Sequence, residues 1–170
     1  MLSEKIKLAG VANDSIVDGP GLRYTLFTQG CPHGCEGCQN PQTHDFCGGR
    51  ESNINEALNQ ITSNKLLDGV TFSGGEPFCQ ARALYRLGLQ VKGLGLSLIT
   101  YTGYTYEELC ENADNKNCYR ELLSVTDYLV DGRFDIGKKD YRLRFKGSSN
   151  QRVIDVRRSM AAGRAIEAAL

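Results

Sequence analysis

The sequence predicts an α/β fold built on a mainly parallel sheet. Two observations carry that expectation: short apolar stretches alternate with stretches of helical period along most of the chain, and the apolar stretches run into glycine-containing turns. Strand, helix, strand in this repeat gives parallel neighbours joined by right-handed crossovers. The third observation is length. At 170 residues the chain suits a single domain over residues 1–170, short of the roughly 250 residues of a complete eight-unit barrel.

In order, Asp18-Gly19-Pro20-Gly21 is a turn signal, and residues 22–29, rich in Tyr, Thr, Leu and Phe, read as a buried strand that runs straight into a cysteine-bearing loop. Ser52 or Asn53 can cap a helix over residues 55–65, where Ile54, Leu58 and Ile61 share a face. Residues 69–72 are a short apolar strand ending in Ser73-Gly74-Gly75-Glu76-Pro77. A helix follows over 79–92 through Ala83, Leu84, Leu87 and Val91, stopped by Gly93. Residues 94–100 form the next strand, ending in Tyr101-Thr102-Gly103-Tyr104. Thr105 and Glu108 then make a capping box for a helix from Tyr106. Residues 127–130 read as a strand closing in Asp131-Gly132-Arg133-Phe134, where Asp131 can pair with Arg133 or take a sugar hydroxyl. Residues 141–146 and 152–156 read as two further strands, suited to antiparallel pairing and joined by Gly147-Ser148-Ser149-Asn150, and the alanine-rich 159–170 as a helix.

Hydrophobic residues at 41% and charged residues at 24% are ordinary for a globular domain. No run reaches the roughly 18 to 20 apolar residues of a membrane span, and residues 1–7 alternate charged and apolar instead of forming a signal peptide, so the expected place is the cytoplasm without a membrane partner. Zero net charge argues against general nucleic-acid binding. The charge is unevenly spread: the last 38 residues carry ten Lys and Arg against four acids, a net +6 that the preceding 132 residues balance.

Gly30 to Gln39 reads Gly-Cys-Pro-His-Gly-Cys-Glu-Gly-Cys-Gln. Cys31, Cys35 and Cys38 are too crowded for mutual disulfides, and seven cysteines is an odd number, which together favour a reducing compartment and metal-bound thiolates. Three thiolates on a cubane iron-sulfur cluster leave one iron open to a small molecule. The alternatives are zinc with His33 or His44 as fourth ligand, although no clean second Cys pair exists, and a closed cluster using Cys47 or Cys79. Cys110 and Cys118, eight apart on one expected helix, read with Cys47 and Cys79 as ordinary cysteines. Neither His33 nor His44 has a partner acid at recognisable spacing, and no side chain is assigned a catalytic role.

The spacing Cys-x3-Cys-x2-Cys is the one by which the radical S-adenosylmethionine enzymes are recognised, and the sequence resembles that superfamily. Gly74-Gly75-Glu76 looks like the segment with which its members bind the methionine amino group of their cosubstrate; two glycines leave backbone carbonyls bare at the ligand edge of a parallel sheet. Thr100 and Thr102, at the end of the following strand, are candidates for the ribose or carboxylate. Many members carry an aromatic residue before the third cysteine. Here that position is Gly37 and Gln39 follows the cysteine, so backbone contacts from Gly37, Cys38 and Gln39 would serve the adenine.

Within the superfamily the sequence is similar to the small enzymes that activate the anaerobic ribonucleoside-triphosphate reductase. Asp18-Gly19-Pro20-Gly21, Cys35-Glu36-Gly37-Cys38-Gln39-Asn40, Thr102-Gly103-Tyr104, Leu129-Val130-Asp131-Gly132 and above all Gly147-Ser148-Ser149-Asn150-Gln151-Arg152 carry that likeness. The resemblance implies a truncated βα barrel open on one side, a [4Fe-4S] cluster on Cys31, Cys35 and Cys38, and reductive cleavage of S-adenosylmethionine. The resulting 5'-deoxyadenosyl radical would take a hydrogen atom from a glycine of the reductase. A flavodoxin-like or other low-potential donor would supply the electron. The charge asymmetry separately suggests that the basic last 38 residues contact an acidic partner, the reductase or the electron donor, or else form a solvated face. The rival readings are activation of another glycyl radical enzyme such as pyruvate formate-lyase, a 7-carboxy-7-deazaguanine synthase-like reaction, and a non-catalytic iron-sulfur electron carrier.

Overall fold

A computed structural model describes residues 4–170 and folds them into one seven-stranded sheet with five α-helices. The strands are β1 (Lys5–Ser15), β2 (Arg23–Thr28), β3 (Arg50–Asn53), β4 (Gly69–Gly74), β5 (Ser97–Tyr101), β6 (Tyr128–Asp131) and β7 (Arg152–Asp155), in the order β3-β1-β2-β4-β5-β6-β7. The inner four, β2, β4, β5 and β6, are parallel. Antiparallel strands flank them, β1 and β3 at one side and β7 at the other. The helices are α1 (Ile54–Ser63), α2 (Ala81–Gly93), α3 (Tyr106–Glu111), α4 (Tyr119–Val125) and α5 (Val156–Ala162).

Alternation along the strands divides the sheet into two faces. Tyr24, Leu26, Val70, Phe72, Leu98, Leu129 and Ile154 pack against Ala57, Ile61, Leu84, Leu87, Val91 and Leu122 from the helices, which also rest on one another, α1 on α2, α2 on α4 and α4 on α5. Full burial of a Leu or Phe such as Leu84 or Phe72 contributes roughly 1.5–3 kcal/mol. The opposite face holds a smaller apolar group, Ile99, Val130 and Val153 with Tyr101 and Tyr128. Beside it Arg23 is fully buried and donates to Thr71 Oγ1 (2.7 Å), Val70 O (2.7 Å), Ser97 Oγ and O, and Pro20 O. Burial lowers its pKa to about 10, so the guanidinium stays charged at neutral pH among neutral acceptors.

Local chemistry sets the helix starts. Asn53 Oδ1 accepts from Glu56 N (2.9 Å) at α1. The Thr105 and Glu108 capping box forms at α3 as expected. The helix expected from Cys79 begins two residues later, because Pro77 opens a 3-10 turn (Pro77–Gln80) ahead of α2.

Several elements differ from expectation. Residues 141–146 are not a strand: Asp140 Oδ1 accepts from Arg142 N (2.9 Å) in a local turn and Phe145 sits at φ +61°, a left-handed geometry that ends any extended run. The last helix is α5, earlier and shorter than 159–170. Asp155 caps its start, Gly163 ends it at φ +66°, and the chain then turns back to bond β7 through Ala168 N to Val153 O (2.8 Å). Cys110 lies in α3 and Cys118 at the cap of α4, so they share no helix. Strands β1 and β3 were not anticipated. The alternation read over residues 1–7 is strand alternation from Lys5 onward, and residues 1–3 lie outside the described residues.

Candidate functional site

The carboxyl ends of β2, β4, β5 and β6 come together around a cavity of about 350 Å³. Ligands bind at this edge of a parallel sheet because the loops that leave it diverge. Cys31, Cys35 and Cys38 all line the cavity, facing Ser73, Gly74, Gly75, Thr102 and Gly103, and Cys47 and Cys79 are not part of its lining. Phe27, Tyr101, Phe134 and Phe145 supply apolar wall.

The thiol loop is fixed by its backbone. Gly30 N donates to Thr43 O (2.7 Å), Cys31 N to His44 O (3.2 Å) and Cys38 N to Cys35 O (3.2 Å). The three cysteines are half-buried free thiols, and among the described residues no three His, Cys, Asp or Glu side chains close around a single ion. Burial, the largest cause, pushes the Cys31 thiol above its ordinary value. A donor set of three soft sulfurs on one open cavity, with no fourth cysteine in its wall, fits an iron-sulfur cluster held at three corners.

Gly74 and Gly75 are glycines because the end of β4 runs against backbone. A Cβ at Gly74 would stand 2.6 Å from Thr28 N, and one at Gly75 2.4 Å from Gly30 O. Gly75 N donates to Thr28 O and Glu76 N to Gly30 O, both 2.8 Å, so the turn is joined to the start of the thiol loop. Glu76, expected as a cosubstrate contact, is fully buried and absent from the cavity wall. Its carboxyl accepts from Phe78 N (3.0 Å), Thr102 Oγ1 (2.9 Å) and Gly103 N (2.9 Å), and His33 Nε2 lies 2.6 Å away. That supplies the partner acid His33 lacked in the sequence, 43 residues distant.

Thr100 is a correction. Its side chain points to the helix layer and bonds Thr126 Oγ1 (2.9 Å), because position 100 follows Leu98 on the helix-facing side of β5. Thr102 does line the cavity, with its hydroxyl already engaged by Glu76 and Tyr104 N. Cys38 and Gln39 lie in the wall, but Gly37 does not; Ile136 covers it, 2.6 Å from where a Cβ would stand. Asp131 does not pair with Arg133. It is buried, accepting from Arg152 Nε (3.0 Å) and Tyr106 N (2.8 Å), while Arg133 turns to Glu108.

Sequence reasoning missed Asp18, Leu143, Phe145, Lys146 and Gln151 as cavity wall, and weighed His44, which also lines it, only as a fourth ligand for zinc. Of these Gln151 was the findable one, since it belongs to the most specific motif. Its Oε1 accepts from Gly147 N (2.9 Å) and Ser148 N (3.1 Å), and its Nε2 donates to Gly132 O (3.0 Å), which holds the segment 143–147 against the cavity.

A profile described as a 4Fe-4S single cluster domain matches residues 17–154, a span that contains the three cysteines, both glycine turns and Gln151. The chain is 37% identical over 147 residues to the anaerobic ribonucleoside-triphosphate reductase-activating protein of Pasteurella multocida (strain Pm70), covering 80% of this chain and 89% of that one. The protein of that name from Escherichia coli (strain K12) is 32% identical over 150 residues, 84% of this chain and 94% of the other. The chain belongs to the anaerobic ribonucleoside-triphosphate reductase-activating proteins. A pyruvate formate-lyase-activating enzyme from Staphylococcus aureus (strain USA300) is also a relative, 35% identical over 167 residues, 91% of this chain and 62% of that enzyme. As a member of this activating family, the chain carries its 4Fe-4S domain over the part of the fold that walls the cavity.

Proposed function

We propose that the cavity is where this chain activates an anaerobic ribonucleoside-triphosphate reductase by making a glycyl radical on it. A [4Fe-4S] cluster held there would supply the chemistry, one-electron reductive cleavage of S-adenosylmethionine to methionine and a 5'-deoxyadenosyl radical that would take a hydrogen atom from a glycine α-carbon of the reductase. Cys31, Cys35 and Cys38 would hold the cluster. The bare backbone of Gly74 and Gly75 would meet the cosubstrate's ammonium, and the Cys38 and Gln39 backbone its adenine. Phe27, Tyr101, Phe134 and Phe145 would give the cosubstrate an apolar wall.

One observation carries this reading: three thiols and two bare glycines from separate strand ends line the same cavity. The parallel strands β2, β4, β5 and β6 would form part of a barrel whose missing side lets a backbone glycine of the partner approach, within a single domain over 1–170. The electron would come from a flavodoxin-like or other low-potential donor in the cytoplasm, with neither nucleic acid nor membrane involved. Among the described residues no helix is long and apolar enough to cross a membrane.

The test is anaerobic reconstitution with iron and sulfide, reduction, and addition of S-adenosylmethionine. Methionine and 5'-deoxyadenosine should appear, and a glycyl radical spectrum should develop when the reductase is present. An electron carrier would give neither product. The pyruvate formate-lyase-activating relative sustains a second reading, in which the glycine belongs to another glycyl radical enzyme. Offering each candidate enzyme in turn separates the two.

A further inference from the structure

We propose that His33 is a positioning residue that, through Glu76, ties the thiol loop to the two glycine turns walling the cavity, so that the two halves of the site keep one spacing. The proposal rests on the reading of the cavity as the cosubstrate site. Glu76 collects donors from three directions: Phe78 N from its own turn, Thr102 Oγ1 and Gly103 N from the end of β5, and His33 Nε2 from the thiol loop. The His33 and Glu76 side chains are 4% and 0% exposed, so water does not compete for this contact. Elsewhere the loop is anchored outward, to Thr43 O and His44 O, or to itself through Cys35 O, and its backbone meets the glycine turn only at its first residue, where Gly30 O accepts from Glu76 N (2.8 Å). Among the described residues, His33 makes the one side-chain hydrogen bond that runs from residues 31–39 to the ends of β4 and β5.

A second observation is independent of that bond. A Cβ at Gly103 would stand 2.4 Å from His33 Cδ2 and 2.7 Å from Nε2, so the ring occupies the room any side chain there would need. Tyr104 closes the ring's other side in an edge contact, centroids 4.5 Å apart. The imidazole is thus held on two sides and bonded at its tip. A placement error of about 1 Å at a site like this costs on the order of a hundredfold, which is the scale of effect a spacer can exert.

The experiment is a double-mutant cycle on anaerobically reconstituted protein: His33→Leu, Gly103→Ala, and both. It reads iron per chain, the S-adenosylmethionine dissociation constant, and the change that S-adenosylmethionine makes in the spin-resonance spectrum of the reduced cluster. Amide exchange at Gly103 is followed in metal-free protein. Each single change should weaken S-adenosylmethionine binding about tenfold and shrink the spectral change, and the double should be no weaker than His33→Leu alone. His33→Gln, whose amide can still donate to Glu76, should recover most of the loss. Gly103 N–H should exchange faster in metal-free His33→Leu. Unchanged binding in His33→Leu, or losses that add in the double, would overturn the proposal. Should His33→Leu take up no iron, Gly103→Ala and the metal-free exchange decide, and parental values in both overturn it. If the parent protein itself binds no S-adenosylmethionine, the reading of the cavity falls and the tie falls with it.

Discussion

Tyr24 shows what burial does to a single titratable side chain in this fold. Packed in the core with its hydroxyl donating to Gln60 Oε1 (2.7 Å), it has its pKa pushed up by desolvation to about 12. The folded state therefore holds the phenolic proton more tightly than the unfolded chain. The stability this contributes is present below about pH 10 and is lost as pH rises from there through 12. Tyr24→Phe should cost about 1 kcal/mol at pH 8 through the lost hydrogen bond and should flatten the alkaline fall; urea midpoints at pH 8 and pH 11 check both. At the thiol loop, Cys35→Ala should abolish bound iron and S-adenosylmethionine cleavage, whereas Cys110→Ala, half-buried in α3 away from the cavity wall, should keep both. Iron assay and product chromatography read the difference. Cys31, Cys35 and Cys38 were legible as a group that lines one cavity because close spacing in the chain keeps them together. The His33 and Glu76 contact was not, because its partners are 43 residues apart and meet only where two strand ends do.

Elements were legible where local chemistry decides them. The α3 capping box is written in Thr105 and Glu108, and both reciprocal bonds form (3.1 and 2.8 Å). Thr105→Ala should lower stability by about 1 kcal/mol, read as a lower urea midpoint with unchanged slope. Segments failed where propensity met a longer-range demand. Residues 141–146 have strand composition, yet Gln151 and the Tyr101 hydroxyl, which donates to Phe145 O (2.7 Å), draw them into the cavity wall as irregular backbone. The alanine-rich end of the chain has helical composition, but Gly163 ends α5 after seven residues and edge pairing with β7 takes the remainder.

Across the whole molecule the charge asymmetry is partly taken up within the fold, where Arg133, Lys138, Arg142 and Arg152 pair with acids. Arg157 and Arg158 on α5 are exposed and form no salt bridge with a described residue, whereas Arg152 is spent on Asp131 and Glu107. Free cations on one surface favour an acidic partner and act chiefly on its rate of approach. Replacing both Arg157 and Arg158 with Glu should weaken association with the reductase or its electron donor at low salt by about tenfold or more, with the difference shrinking as salt rises. Binding at two ionic strengths tests this, and equal affinity at low salt would count the surface as solvated only.

The sequence by itself determined the parallel α/β core, the thiol tripod and the glycine turns, because periodicity and fixed spacing are local properties of a chain. Tertiary structure decided which residues face the cavity. A one-residue step along β5 sends Thr100 to the helix layer, and only the convergence of three strand ends brings His33, Glu76 and Gly103 into contact, with Gln151 closing the wall beside them. The physical reason is that facing and long-range contact depend on strand pairing and register, which residues far apart in the chain settle together.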